Sequence, residues 1–488
     1  MRRVLAIVEL TKKQLNFGGS DELQMLYENA KPWVPHSYQT LAIDFLKETG
    51  CGSLWLDPGL GKSSICLATH MEFRKFDKRP MLVIAPLRPA NEVWPREIRK
   101  WSNFNELTYT VLHGAEKDHR FRHMLTHDVV IINYDGLQWL IKKLNGTMPF
   151  GTVVIDESTN IKNGMTQRFK CINEAIALKA QRLWLLTGSP AAGGLMDLFN
   201  PQNVVDKGLT FGKYITKFRN TYFSNPAPYM WVLQPGAEER IYDALANSVL
   251  RLKAADHLDM PELIENTVRV ELPEAALRAY NDMERKCVVE FESGDATAMN
   301  SGVATMKLQQ MANGGIYLDS EDPTMGRVVQ HLHNEKTEAA MELVDEINGK
   351  GVMIAYHYRH DLERLKKAFP QAPVLGSGLK PSELSAVIDG WNGGKFPVLL
   401  VHAQSAGHGL NLQEFGVAVI WYSVPFSREL YDQLNARVYR QGQKSKTIVV
   451  HLIVAENTVD DDIVATLEGR GKTQNELFQA MKDRQSQK

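Results

Sequence analysis

Ser53-Leu54-Trp55-Leu56-Asp57-Pro58-Gly59-Leu60-Gly61-Lys62-Ser63-Ser64 is the stretch that decides the fold. Leu54–Leu56 predicts a strand, Asp57–Gly61 a glycine-containing turn, and Ser63 onward a helix. Glycines let backbone amides approach an anion closely, and a helix N-terminus adds the positive end of a dipole. Such a turn is built for phosphate, with Lys62 placed to neutralise it and the Ser63 hydroxyl placed to reach a magnesium ion. The strict phosphate-loop pattern has glycine at position 56, where this chain has Leu56. Read alone, the string also fits a strand–turn–helix with an incidental Gly-Lys.

Outward from this turn, apolar runs alternate with helical periodicity over residues 33–205. The runs are Ser53–Leu56, Met81–Ala85, Tyr109–Leu112, Val129–Asn133, Val153–Ile155 and Leu183–Leu186. They are continuous rather than alternating, as in strands buried on both faces of a parallel sheet. The prediction is a doubly wound α/β domain. Over 206–335 strand-like runs are scarce. Phe211, Tyr214, Phe218 and Tyr222 recur near helical spacing, Glu274–Glu290 and Val303–Met311 read as helices, and the one extended piece expected is Asn266–Leu272. This predicts a mainly helical insert. Over 336–460 the α/β rhythm returns in Val352–Ala355, Val398–Val401, Val417–Trp421 and Ile448–Val454. A preface (1–32) and a helical tail (461–488) complete the expected order.

The 488 residues suffice for about three domains. The net charge of −1 lacks the basic excess that announces many nucleic-acid binders, so any such site must gather its cations locally. The four cysteines, Cys51, Cys66, Cys171 and Cys287, form no CxxC pair. That argues against a zinc site and suits a reducing compartment. His36, His113, His123 and His127 follow no ligand spacing. No run approaches the ~18 apolar residues of a membrane span. Glu9 interrupts the short apolar run near the start, so no signal peptide is expected. The expectation is a soluble, cytoplasmic protein with no membrane partner.

The second chemical string is Asp156-Glu157-Ser158-Thr159, after the apolar Val153-Val154-Ile155. Ligands bind at the carboxyl ends of strands in α/β sheets. An acidic pair after a strand is usually a solvated turn, but a phosphate loop upstream reverses that reading. Asp156, with Ser63, is then the candidate magnesium ligand, and Glu157 the group that polarises an attacking water. Together they make a candidate ATPase site that uses ATP and Mg2+. Arg437 and Arg440, three apart, suit either a solvated helix face or cations that finish such a site from a second domain.

At this point the chain resembles superfamily 2 nucleic-acid motors, and within them the Snf2-type double-stranded-DNA translocases, from Tyr38-Gln39 to about Met481. Leu82-Val83-Ile84-Ala85-Pro86-Leu87 with Trp94 and Trp101 is similar to the family's second conserved block. Asp156-Glu157-x-x-x-Ile161-Lys162-Asn163 resembles its Walker B block, and Leu185-Leu186-Thr187-Gly188-Ser189-Pro190 its coupling segment. Ala406-Gly407-His408-Gly409-Leu410-Asn411-Leu412 resembles the glycine-rich block that meets ATP and DNA. Gln433-x-x-x-Arg437-x-x-Arg440-x-Gly442-Gln443 resembles the arginine-finger block.

The resemblance implies two RecA-like doubly wound parallel-sheet lobes with a mainly helical insert between them. It implies that Gln39 contacts adenine and that Gly59, Leu60, Gly61, Lys62, Ser63, Ser64 and Gly409 bind ATP. Catalysis falls to Lys62, Asp156, Glu157, Arg437 and Arg440, and coupling to Thr187, Gly188, Ser189 and Gln433. Candidates for gripping a nucleic-acid backbone are Arg88, Asn133, Lys162, Asn163, His357, Ser405 and Asn411; backbone grip needs amides, hydroxyls and cations rather than base readers. The chain departs from the pattern at Thr159, where histidine is common, at Ala436, where aspartate is usual, at Gln441, where an apolar residue is usual, and at Leu56-Asp57-Pro58, which replaces an acidic pair and methionine.

The leading expectation is ATP-driven translocation on double-stranded DNA without sequence specificity. The near alternative is a strand-separating superfamily 2 helicase on DNA or RNA. Alternatives from other classes are a small-molecule phosphotransferase and a nucleotide-gated binding scaffold. The sequence carries no evident chromatin-reading, zinc or nuclease module. That predicts a minimal motor of bacterial or viral origin, with nuclease or targeting function left to a protein partner.

Overall fold

The apolar runs around the glycine turn become β1 (Cys51–Leu56), β2 (Met81–Ala85), β3 (Tyr109–Val111), β4 (Val129–Asn133), β5 (Thr152–Asp156) and β6 (Arg182–Thr187). The computed structural model describes residues 29–191, 193–227, 230–292, 298–318, 328–376, 379, 381–406 and 410–467. Most of the expected preface, and the expected tail from 468 onward, lie outside the described residues. The chain divides into two units, Met1–His257 and Leu258–Lys488.

In the first unit a hairpin, β7 (Phe223–Ala227) and β8 (Met230–Leu233), precedes β9 (Val249–Leu252). The main sheet runs β3-β4-β2-β5-β6-β1-β9, and every neighbouring pair is parallel. All five residues of β2 and of β4 are buried, which requires cover on both faces and explains their unbroken apolar sequences. Because β6 lies between β5 and β1, the carboxyl ends of these three strands stand side by side. Trp55 pairs with Thr187, and Asp156 with Leu186. This register brings the glycine turn, the acidic pair and the Thr187-Gly188-Ser189 segment to one edge. A smaller core gathers Trp55, Phe199, Phe211, Phe218, Phe223, Ile241 and Leu245. The rings of Phe211 and Phe218 lie 4.5 Å apart. Tyr214, expected on the same stripe, is 75% exposed.

The second unit holds β10 (Glu262–Val270), β11 (Gly315–Leu318), β12 (Val328–His331), β13 (Gly351–Tyr356), β14 (Val374–Leu375), β15 (Val398–His402), β16 (Gly416–Trp421) and β17 (Thr447–Ala455). Its parallel sheet runs β10-β17-β16-β13-β15-β14, and β11 and β12 form a separate antiparallel pair. The two α/β domains expected from the sequence are thus both built on parallel sheets. The segment expected as a mainly helical insert is shared out. Residues 206–257 belong to the first unit and supply β7, β8 and β9; residues 258–335 belong to the second and supply β10, β11 and β12. Its expected helices form as Glu274–Glu292 and Ala298–Ala312. Tyr280, Leu308, Met311 and Ala312 join the core of the second sheet.

Candidate nucleotide site

The phosphate turn forms where the sequence places it. β1 ends at Leu56, Gly59 and Gly61 take φ of 94° and 80°, and the helix Lys62–Arg74 follows. Only glycine takes such backbone angles at little cost. Gly61 is doubly constrained, because a Cβ there would lie 2.6 Å from Gln39 Nε2. Gln39 stands in the helix Ser37–Thr49 and is buried. Its Nε2 donates to the Leu60 carbonyl at 3.2 Å, and its Oε1 accepts from the His36 amide at 3.0 Å. The residue expected to meet adenine thus also braces the turn. Lys62 Nζ donates to the carbonyls of Leu56 at 2.7 Å and Asp57 at 3.4 Å, curling over the turn it follows. Asp57, the first residue of the turn, has a structural task. Its Oδ2 accepts from the Ala254 amide at 2.9 Å, tying the turn to the chain just after β9.

Asp156 closes β5. Its Oδ2 accepts from Trp94 Nε1 at 3.0 Å, and its Oδ1 from the Glu157 amide at 3.1 Å. Burial raises the carboxyl above its ordinary range, opposed by the Trp94 N–H and by the positive charge of Lys62. Glu157 follows in the left-handed region, φ 53° and ψ 63°. A non-glycine residue there costs on the order of 1 kcal/mol. The conformation is held by donors on the Glu157 carbonyl: Tyr134 OH at 3.2 Å, and the Asn160 backbone and side-chain amides at 3.0 Å each. Tyr134 OH also donates to the Asp156 carbonyl at 2.7 Å. Burial, reinforced by the two neighbouring carboxylates, raises the Tyr134 hydroxyl well above its ordinary value and keeps it a donor.

Ser64 donates to Glu97, and Glu97 accepts from Trp101 Nε1 at 2.7 Å. The coupling candidates sit close by. Thr187 Oγ1 accepts from the Ser189 amide at 3.1 Å, and a Cβ on Gly188 would lie 3.3 Å from Pro58 Cδ. Thr159 lines a small cavity of mixed character, with Ser53, Thr187 and Gln202 on its polar side and Trp55 and Leu198 on its apolar side. Thr159 stands at the position where the resembled family commonly carries a larger histidine.

The second unit brings two of the expected blocks together. Arg437 Nη1 donates to the Leu410 carbonyl at 3.5 Å, and the Leu412 amide to the Arg437 carbonyl at 3.3 Å. Arg437 and Arg440 follow the helix Arg428–Asn435 and are half-buried. Gln433, buried in that helix, donates to Glu429 at 3.1 Å. Gln443 Nε2 ties the turn to the carbonyls of Gly416 at 2.9 Å and Val438 at 3.0 Å. Gly409 lies outside the described residues.

The backbone-grip candidates divide by exposure. Asn163 and Asn411 are exposed. The Asn163 side chain accepts from the Met165 amide at 2.9 Å, shaping its own turn. Arg88 pairs with Glu92 at 3.2 Å and Lys162 with Asp197 at 3.0 Å. Asn133, at the end of β4, is only 6% exposed, so it sits within the core rather than on the surface. His357 and Ser405 are half-buried and linked through His402, whose Nδ1 meets Ser405 Oγ at 3.0 Å and whose Nε2 meets the His357 carbonyl at 3.2 Å.

The donor set fits magnesium. Asp156 and Ser63 offer hard oxygens at one sheet edge. Among the described residues, no group of three or more His, Cys, Asp or Glu side chains could cage a metal without help. Magnesium is characteristically held by one or two such ligands together with phosphate oxygens and water.

A parallel sheet with a glycine turn and a lysine at one strand end, and an acidic pair two strands away along the same edge, defines a phosphate-loop nucleotide-binding core. The SNF2-related domain model matches residues 28–314, and the helicase conserved C-terminal domain model matches residues 335–442. The chain therefore belongs to the Snf2 family of superfamily 2, and it is an enzyme of the ATPase/helicase class. Protein p41 of Acyrthosiphon pisum secondary endosymbiont phage 1 is 34% identical over 93% of this chain and 99% of its own length. DNA repair and recombination protein RAD54B of Mus musculus is 22% identical over 85% of this chain, which spans 52% of that larger protein. The Sulfolobus solfataricus SWI2/SNF2 ATPase core in complex with dsDNA covers 90% of this chain at 21% identity and a TM-score of 0.43. No helix among the described residues is long and apolar enough to cross a membrane.

Proposed function

We propose that this chain hydrolyses ATP to move along duplex DNA without reading its sequence. The observation that carries the reading is the shared edge of β1, β6 and β5, where the turn before Lys62, the Thr187 segment and Asp156 adjoin. Phosphoryl transfer to water needs charge stabilisation and alignment more than covalent chemistry. Lys62 and the turn amides hold the phosphates. Ser63 and Asp156 hold magnesium, which when bound offsets charge on the phosphate oxygens. Glu157 orients the attacking water and takes up its proton. Arg437 and Arg440 supply further cations, an assignment carried by the arginine-finger block in which they stand; such cations contribute roughly 10³–10⁵ in rate. Thr187, Gly188 and Ser189 sense the loss of the γ-phosphate, which the approach of Gly188 to Pro58 supports.

The choice of duplex DNA rests on the Ile161-Lys162-Asn163 extension and the closing Gly442-Gln443, both marks of the duplex translocases the chain resembles. Triplex displacement and strand displacement, measured on one preparation, test it. Removal of a third strand without duplex unwinding is expected. Unwinding without triplex removal would select the strand-separating alternative.

A further inference from the structure

The helix Trp94–Lys100 touches the nucleotide site at two points from one face. Trp94 and Glu97 fall at i and i+3 on one side of this helix, and Trp101, just past its end in extended conformation, reaches back to Glu97. Glu97, steadied by the Trp101 indole, takes the hydroxyl of Ser64, the residue next to Ser63. Trp94, wholly buried, gives its indole N–H to Asp156 Oδ2 at 3.0 Å. Tyr134 holds the Asp156 main chain, but of these two only Trp94 holds the side chain.

We propose that Trp94 is a positioning residue for the magnesium site: its N–H fixes the Asp156 carboxylate so that one defined oxygen edge meets the ion. The inference rests on the assignment of Asp156 as a magnesium ligand. An indole N–H can only donate, so Trp94 neither binds the metal nor takes up a proton. Its effect passes entirely through the orientation of Asp156. The donor lies in the packed core, where a rigid two-ring side chain has little freedom, while Asp156 is half-buried at its edge. The carboxylate is therefore set before the ion arrives, and its rotamer entropy is not lost on binding. Partners of this kind behind a metal ligand change metal affinity by about 10–100-fold when removed.

The test is a magnesium titration of nucleotide binding, read by a fluorescent ADP analogue, alongside binding of the same analogue in EDTA. Trp94→Phe is expected to raise the half-saturating magnesium concentration at least about tenfold, with EDTA binding unchanged. Replacing Trp94 by 3-benzothienylalanine keeps the two-ring shape and removes the N–H, so it answers the case in which the phenylalanine variant does not fold. The same shift is expected there. A folded variant of either kind with wild-type magnesium dependence would overturn the proposal while leaving the nucleotide site intact. Wild-type protein that binds no nucleotide in either medium would overturn the site assignment itself.

Discussion

Gly61 shows how narrowly the turn is specified. Its φ of 80° and the 2.6 Å gap to Gln39 leave no room for a methyl group. Gly61→Ala should cost about 1–2 kcal/mol of local strain and displace the Gln39 brace. Equilibrium titration is expected to show ATP affinity lowered by about tenfold or more. Glu157→Gln should reduce turnover by roughly 10²–10⁴ while ATP binding persists. Wild-type turnover no faster than that variant's would favour a nucleotide-gated scaffold instead. His70, in the helix after the turn, gives a pH prediction. Burial, reinforced by the Arg74 charge, lowers it from 6.5 to about 4. The unfolded chain then takes up a proton near 6.5 that the folded chain refuses until about 4. Stability must fall as pH drops through that window, by about 2 kcal/mol between roughly pH 7 and pH 5. Denaturant unfolding at the two pH values should show a smaller drop in His70→Gln.

At the scale of elements, the second unit is fastened by a buried ionic network. Lys336 and Asp460, both fully buried, meet at 2.5 Å, and Lys336 also donates to Asn313 at 2.8 Å. Asn313 follows the helix Ala298–Ala312 and donates in turn to Asp361 at 3.1 Å and Ser423 at 3.0 Å. Removing one charge strands the other. Asp460→Leu or Lys336→Met alone should each destabilise this unit by about 3–5 kcal/mol, and the two together by less than either single change. Unfolding curves of the three variants check the order.

None of this network was legible in the sequence, because it joins residues up to 147 positions apart (460 − 313 = 147) that carry no local pattern. The buried strands were legible for the opposite reason. With both faces covered, β2 and β4 read as unbroken apolar runs, and their limits in the structure match the sequence reading residue for residue. β10 was half seen, since Glu262, Glu265, Asn266 and Thr267 face solvent and break the apolar signal of an edge strand. The nucleotide turn was legible because phosphate chemistry demands glycine, lysine and hydroxyl in fixed order. The roles of Gln39 and Asp57 in bracing that turn were not, since each depends on a partner brought close by the fold.

For the molecule as a whole, a net charge of −1 implies that any DNA grip is local and electrostatic. Affinity for duplex should then fall steeply and linearly on a log–log plot against salt, with little change between unrelated sequences. The most direct test of the account is ATP turnover measured side by side with no polymer, single-stranded DNA, duplex DNA and RNA. Duplex DNA is predicted to raise turnover most, and Lys62→Ala to abolish the response. Turnover indifferent to every polymer, or raised most by RNA, would contradict it.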